Sequence, residues 1–320
     1  MARTPLTPRM IEVEHLSKRY GDTLAVDDLT FEVRPGIVTG FLGPNGAGKS
    51  TTMRLIVGLD RPSAGRVTIS GRPYRELAAP LHEVGTMLEA RAIHTGRSAY
   101  HHLLAMAQTN GIARRRVDEV IELVGLQSVA RKRVGGFSLG MGQRLGIAAA
   151  LLGDPPVLIL DEPANGLDPE GILWIRNLLK GLAREGRSVF LSSHLMSEIA
   201  LTADQLVVIG RGRLIADASV TEVVAQASSN AAVVVRSAAA EQLHGALAGP
   251  GVVIESLAPG VLEVHGLTGR QIGEVALHER IVLDELTPRQ ASLEDAFMAL
   301  TGEAVDFRAE TAPLVGEEVA

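Results

Sequence analysis

Gly43-Pro44-Asn45-Gly46-Ala47-Gly48-Lys49-Ser50-Thr51 follows directly on the apolar run Ile37 to Leu42. The spacing is G-x-x-x-x-G-K-[ST], and its place after a strand-like run predicts a strand, a tight turn and a helix in that order. Such a turn points several backbone N–H groups at one spot, at the positive end of a helix dipole, and binds phosphate. The glycines at 43, 46 and 48 let the backbone close on an anion without side-chain obstruction. Lys49 is expected to reach the β and γ phosphates of a nucleotide, and the Ser50 hydroxyl to ligate Mg²⁺. The competing reading, a Gly-rich loop before an ordinary helix, is disfavoured by a second phosphate-site motif downstream.

That second motif is Pro156-Val157-Leu158-Ile159-Leu160-Asp161-Glu162-Pro163. Four apolar residues in a row suit a strand buried on both faces of a parallel sheet. Ligands of open α/β sheets sit at the carboxyl ends of the strands, so Asp161 is placed to hold Mg²⁺ directly or through water. Glu162, one residue further, is left to orient or deprotonate the water that attacks the γ-phosphate. Two acids capping a surface strand would be the plain reading if this segment stood alone.

Between the two motifs lies Phe137-Ser138-Leu139-Gly140-Met141-Gly142-Gln143-Arg144, and after them Asn165-Gly166-Leu167-Asp168 and Ser192-Ser193-His194. In this order the motifs resemble the ATP-binding subunit of ABC transporters, over roughly residues 10 to 225. The resemblance implies an α/β P-loop NTPase core with a helical subdomain, ATP and Mg²⁺ as cofactors, and a site completed by a second subunit. In that family Ser138 and Gly140 open a helix whose N-terminus meets the γ-phosphate bound by the other copy, so two copies must meet head to tail. By the same resemblance Asp168 lies in the loop at the dimer seam, and His194 hydrogen-bonds the γ-phosphate. Tyr20, in Leu16-Ser17-Lys18-Arg19-Tyr20-Gly21, matches the aromatic that stacks on adenine. The plain alternative for Tyr20 is a half-buried tyrosine at a strand end.

Two positions depart from the commoner family pattern. Leu139 and Met141 replace a Gly and a Gln in the Leu-Ser-Gly-Gly-Gln form, while Ser138 and Gly140 are kept. Ser-Leu-Gly-Met versions are similar to the drug and antibiotic exporter branch. Glu89 follows Val84-Gly85-Thr86-Met87-Leu88, where the family usually has a Gln that touches Mg²⁺ and relays nucleotide state to the membrane subunit. A carboxylate can still ligate the metal, but when ionised it cannot donate a hydrogen bond. The competing reading has Glu89 turned away, with coupling left to its neighbours.

Composition narrows the class. With 320 residues, 46% of them hydrophobic, the chain can bury a large core and has room for two domains. No apolar run approaches the roughly 18 residues of a spanning helix, and Met1 to Arg9 lacks the apolar stretch of a secretory signal. There is no cysteine, which removes disulfides and thiolate chemistry. The net charge of −6 argues against a general nucleic-acid binder, and no nucleic-acid partner is expected. The basic runs Arg114 to Arg116 and Arg131 to Arg133 read as solvated helix ends, with a contact to anionic lipid or a membrane subunit as the alternative.

Periodicity places strands at Ile11 to Val13, Leu29 to Val33, Ile37 to Leu42 and Val67 to Ser70. Helices follow at Ala99 to Gln108, Val117 to Val124 and Gln143 to Leu152. Strands return at Val157 to Leu160, Val189 to Ser192 and Leu206 to Ile209, as in a parallel sheet. After the turn-rich Gln226 to Asn230 a new block reads strand 232–236, helix 241–248, strands 252–255 and 261–264, helix 269–277, strand 281–284 and helix 292–300. The last of these resembles the C-terminal helix of exporter-type ATP subunits. The expected organisation is a flexible segment 1–9, an ATPase domain 10–226 with its helical subdomain at about 90–152, a small α+β domain 231–302, and a disordered acidic tail 303–320.

The expected function is ATP hydrolysis that powers export of a drug, antibiotic or lipid-like small molecule. The partners would be a second copy in the ATP-bound state and separately encoded polytopic membrane subunits, holding the chain at the inner face of the cell membrane. The alternative is a soluble ABC ATPase of translation or DNA repair. Translation relatives generally carry two ATPase cores, whereas one cradle occurs here. Repair relatives insert a long coiled coil, for which the span between Ser50 and Ser138 is too short.

Overall fold

The computed structural model describes residues 11–89, 93–228, 232–289 and 293–301. The expectations for 1–9 and 303–320 lie outside them. The chain divides into two compact units: the described part of 1–194 with Val207–Ala216, and Leu195–Leu206 with Asp217–Leu300.

In chain order the first stretch runs β1 (Ile11–Tyr20), β2 (Thr23–Val33), β3 (Val38–Leu42), α1 (Lys49–Ile56), β4 (Ala64–Ile69), α2 (Pro80–Glu83), β5 (Val84–Met87), α3 (Ala99–Thr109), α4 (Arg114–Leu123), α5 (Leu139–Leu151), β6 (Val157–Leu160), α6 (Pro169–Arg184) and β7 (Ser188–Ser192). It continues with α7 (Met196–Thr202), β8 (Gln205–Gly210), β9 (Arg213–Ser219) and α8 (Val220–Ser228).

The central sheet has the order β5-β6-β7-β3-β8-β9, with β5, β6, β7 and β3 mutually parallel. Every residue of β3, β6 and β7 is buried, so those strands are predominantly apolar rather than alternating, with only Thr39, Ser188 and Ser192 as polar exceptions. A separate antiparallel sheet, β2-β1-β4, lies beside it, and β1 and β2 extend well beyond the short strands the periodicity marks. Register shifts in β1 between Val13 and Leu16, and again before Tyr20, break the two-residue alternation there and explain why only its first residues read as a strand. Phe31 of β2 stacks on Phe41 of β3 and Phe190 of β7 with ring centroids 5.6 and 5.8 Å apart, and Phe41 meets Phe190 at 5.1 Å, joining the two sheets through one core.

Helices α3, α4 and α5 pack on one another, and α5 also presses on β5. A Cβ added at Gly85 would come within 2.0 Å of the Ala150 carbonyl, so only glycine allows that approach. The basic runs are solvent-exposed apart from the half-buried Arg116, though only the first lies at a helix end. Arg114 opens α4 with its Nε donating to the Tyr100 hydroxyl at 2.6 Å, and Arg116 donates to the Leu151 carbonyl at 2.9 Å. Arg131 lies outside any helix, 5.5 Å from the centroid of the buried Tyr100 ring. The Leu151 carbonyl at the end of α5 and the electron-rich Tyr100 ring offset these charges locally.

Within the second unit, β10 (Val233–Arg236), α9 (Ala240–Leu247), β11 (Val253–Ala258), β12 (Val261–His265), α10 (Gly269–His278) and β13 (Glu285–Pro288) follow in order, and α11 (Leu293–Thr301) comes last. The four strands form an antiparallel sheet in the order β11-β12-β10-β13. A βαββαβ chain with this order is the split-βαβ, ferredoxin-like arrangement. Val233, Val235, Leu262 and Val264 face α9 and α10 and bury Leu243 and Ile272 against them. The strand expected at 281–284 begins only at Glu285. Ile281 instead hydrogen-bonds back to Ala276 at the end of α10 and is buried as its cap, so its apolar character serves the helix end.

Candidate active site

β6, β7 and β3 are neighbours and parallel, so their carboxyl ends open at one edge of the sheet. The Gly43–Thr51 turn leaves β3, Asp161 and Glu162 leave β6, and Ser192 and His194 leave β7. The topology therefore gathers segments that are more than 100 residues apart in the chain.

The turn is held from behind. Gly212 donates to the Ala47 carbonyl at 3.0 Å, and Asp27 donates to the Gly212 carbonyl at 2.9 Å. Gly48 precedes α1 with φ of 103°, a conformation that side chains resist, and a Cβ there would sit 2.5 Å from the Ala25 carbonyl. Lys49 is buried, and its Nζ donates to the carbonyls of Gly43 at 2.6 Å and Pro44 at 3.1 Å. Burial pushes the Lys49 ammonium below its usual pKa, while the nearby carboxylates of Glu162 and Asp161 pull it back up. The cradle and the strand-end acids thus act on one another directly.

Ser50 Oγ donates to Asp161 Oδ2 at 3.0 Å. Ser192 Oγ donates to the other oxygen, Oδ1, and accepts a 3.0 Å bond from the Glu162 backbone N–H. Ser50 and Asp161 present hard oxygens side by side, the donor set that Mg²⁺ takes when nucleotide phosphates and water complete its shell. Among the described residues no group of three His, Cys, Asp or Glu is assembled for a metal. Glu162 adopts φ of 51°, a left-handed conformation that costs a non-glycine residue on the order of 1 kcal/mol. That turn swings its carboxylate away from the Asp161 side and toward β7, where Oε2 lies 2.6 Å from His194 Nδ1. Gln143 Nε2 of α5 donates to the Glu162 carbonyl at 2.7 Å. Ser192 and Gln143 were not singled out as site residues from sequence. Ser192 leaves a signal, the one polar side chain ending an apolar strand, whereas Gln143 has none without the fold.

The remaining candidates occupy helix starts and the cleft floor. Ser138 caps α5, accepting from Met141 N at 3.2 Å, and Asp168 caps α6, accepting from Gly171 N at 3.0 Å. The two helix starts touch: a Cβ on Gly140 would meet the Gly166 carbonyl at 3.0 Å, and one on Gly166 would run into the Leu139 side chain. Glu89 is exposed and lines a cleft of about 530 Å³ with Ser50, Asp161, Arg54, His102 and Met106. Tyr20 is 45% exposed at the end of β1, with its hydroxyl bonded to Asp60.

This is the fold and the strand-end chemistry of a P-loop nucleotide hydrolase. The family model described as ABC transporter matches residues 26–165, and the model of a domain of unknown function (DUF8746) matches 231–294. The chain is 46% identical over 209 residues to the uncharacterized ABC transporter ATP-binding protein YhcH of Bacillus subtilis, covering 64% of this chain and 68% of that one. It is 44% identical to the bacitracin transport ATP-binding protein BcrA of Bacillus licheniformis, with the same coverage. The solved cbiO1 from Clostridium perfringens, described as part of the ABC transporter complex cbiONQ, superposes with a TM-score of 0.61 at 30% identity, covering 68% of this chain and 92% of that one.

The chain belongs to the ABC transporter ATP-binding proteins, in the branch that includes antibiotic transport subunits, and is an ATPase subunit of that family. The translation or repair alternative is not favoured. No helix among the described residues is long and apolar enough to cross a membrane.

Proposed function

We propose that this subunit hydrolyses ATP to power export of a drug, antibiotic or lipid-like small molecule through separately encoded polytopic membrane subunits. Relatives named for bacitracin and lantibiotic transport support the antibiotic class. The single observation that best supports the chemistry is the convergence of Ser50 on Asp161 at 3.0 Å and of Glu162 on His194 at 2.6 Å across three adjacent strand ends. In this reading Gly43 to Thr51 hold the triphosphate, and Ser50 and Asp161 hold Mg²⁺, which neutralises charge on the phosphates. Glu162 takes a proton from the attacking water, His194 holds the γ-phosphate, and Tyr20 stacks on adenine. Ser138, Gly140 and Asp168 serve the site of a second copy. The ATPase domain spans 10–226, and the small domain 231–302 accompanies it.

Membrane attachment is then through the partner, by way of the cleft lined by Glu89, His102 and Met106. The experiment is twofold. Glu162→Gln protein followed by light scattering should double in mass with ATP and return to a monomer with ADP, and a mass unchanged by nucleotide would remove the composite site. Disrupting the gene in its host should sensitise the cells to one class of membrane-active antibiotic, with rescue by the wild-type gene and none by Glu162→Gln. Unchanged sensitivity across such compounds would overturn the export reading.

A further inference from the structure

Tyr20 is tethered despite its exposure. It sits at a strand end, nearly half exposed, yet each of its features is held. Its hydroxyl donates to Asp60 Oδ2 at 2.9 Å, and the same oxygen accepts Arg54 Nε at 2.7 Å. Lys18 Nζ lies 4.7 Å from the ring centroid and is itself bonded to the Arg61 carbonyl at 2.7 Å. That ammonium covers one face of the ring, while the residue as a whole stays nearly half exposed.

The geography of Asp60 gives the arrangement a purpose. Arg54 belongs to α1, the helix whose first turn is the phosphate cradle, and Asp60 lies in the turn that closes the helix, where the Leu59 and Asp60 amides return to the Arg54 carbonyl. The Asp60 carboxylate is 20% exposed, so its hydrogen bonds to Arg54 and Tyr20 are partly withdrawn from water. Those bonds hold the Asp60 carboxyl below the usual carboxylate range, the Arg54 bond contributing most.

We infer that Asp60 is a positioning residue for the nucleobase: it fixes Tyr20 at a set distance from the phosphate cradle by tying the ring to the same helix. The inference rests on Tyr20 contacting the base. Fixing a stacking ring in advance lowers the ordering cost of binding, so its loss appears in affinity for a base-bearing nucleotide and not in phosphate chemistry. Bare triphosphate, which has no base, is indifferent to it.

The test uses the full chain and measures KM and kcat for ATP together with the inhibition constant of inorganic tripolyphosphate. Tyr20→Ala should raise KM by ~10-fold, on the scale of one stacked base. Asp60→Ala should raise it by ~3- to 5-fold, the size of one charge-assisted hydrogen bond at a partly wet site, with kcat within about twofold and tripolyphosphate inhibition unchanged. Tyr20→Phe, which keeps the ring and removes only the tether, should reproduce Asp60→Ala and decides the matter if Asp60→Ala fails to fold. In the Tyr20→Ala background Asp60→Ala should add nothing. An unchanged KM in Tyr20→Ala would refute the base contact itself. A weakened Tyr20→Ala with an unchanged Asp60→Ala and Tyr20→Phe would refute the positioning role alone. Equal loss of tripolyphosphate and ATP in Asp60→Ala would make Asp60 a general support of α1 and also overturn the inference.

Discussion

The parallel sheet of the ATPase unit and the antiparallel sheet of the C-terminal unit treat polar groups in opposite ways. In the first, β6, β7 and β3 end side by side, and the side chains beyond their ends have no neighbouring strand to pair with. Ser50, Asp161, Ser192, Glu162 and His194 therefore bond to one another. In the second, each strand reverses direction, and charges pair across the sheet instead: Arg289 with Glu263 at 3.0 Å and Arg236 with Glu285 at 3.4 Å. Parallel topology collects chemistry at one edge, whereas antiparallel topology distributes it. Glu162 shows the collecting edge at work, holding a left-handed backbone while its carboxylate meets His194 of the adjacent strand end.

If that contrast is right, Glu162→Gln is the most damaging change in the molecule for activity. It keeps shape and volume, so ATP binding should persist while hydrolysis falls by ~100-fold or more. A phosphate-release assay beside nucleotide binding separates the two, and near-normal turnover would remove Glu162 from the role of base.

The complementary change lies in the other unit. Leu243 of α9 is wholly buried against the sheet, so Leu243→Ala should cost about 3 kcal/mol there, on the scale of a core truncation. Hydrogen exchange should show residues 232–289 opening more readily while ATP turnover stays within twofold. Turnover falling in step would mean that the small domain's integrity is required for catalysis. A smaller probe is Thr268, whose hydroxyl accepts from Gln271 N while the Gln271 side chain accepts from Thr268 N at 2.8 Å, a reciprocal cap on α10. Thr268→Ala should destabilise by ~1 kcal/mol, read in denaturant melts, again without touching turnover.

Legibility in the sequence followed the same division. The turn at Gly43–Thr51 after β3, and the placement of Asp161, Glu162 and His194 at the ends of β6 and β7, were legible because the motifs keep fixed residue types at fixed spacing. Strands β3, β6 and β7 were readable because burial on both faces leaves a mostly apolar run, unbroken in β6. What escaped depended on contacts distant in sequence. Both basic runs face solvent as expected, but that Arg114 and Arg131 also lie over the Tyr100 ring from two different segments is not visible in any local pattern. Ile281 is apolar because it seals the end of α10, and read as a strand it displaced β13 by four residues. Gln143 reaches the Glu162 carbonyl only once α5 has been pressed onto β5 through Gly85, and no local pattern announces that.

The finest test concerns the cleft between these two kinds of reading, where sequence flagged Glu89 and structure supplies its surroundings. Glu89 is exposed and borders the cleft that Ser50, Asp161 and Arg54 also line; the Arg54 guanidinium is held protonated chiefly by its hydrogen bond to Asp60, with Glu89 adding only a minor charge contribution. It makes no part of the Ser50, Asp161, Ser192, Glu162 and His194 set of hydrogen bonds described above. Glu89→Gln removes one negative charge beside Arg54 and restores an amide donor, with no change in size. Basal hydrolysis in the isolated subunit should then move by only a few fold, since a partly solvated charge beside the site acts through a screened field. Stimulation of turnover by the membrane partner should change more than the basal rate, because that cleft is where the partner is proposed to seat. Reconstituted complex and isolated subunit, assayed side by side, give the ratio. A basal rate that collapses in Glu89→Gln would place Glu89 inside the catalytic shell and extend the gathered edge from three strands to a fourth, β5.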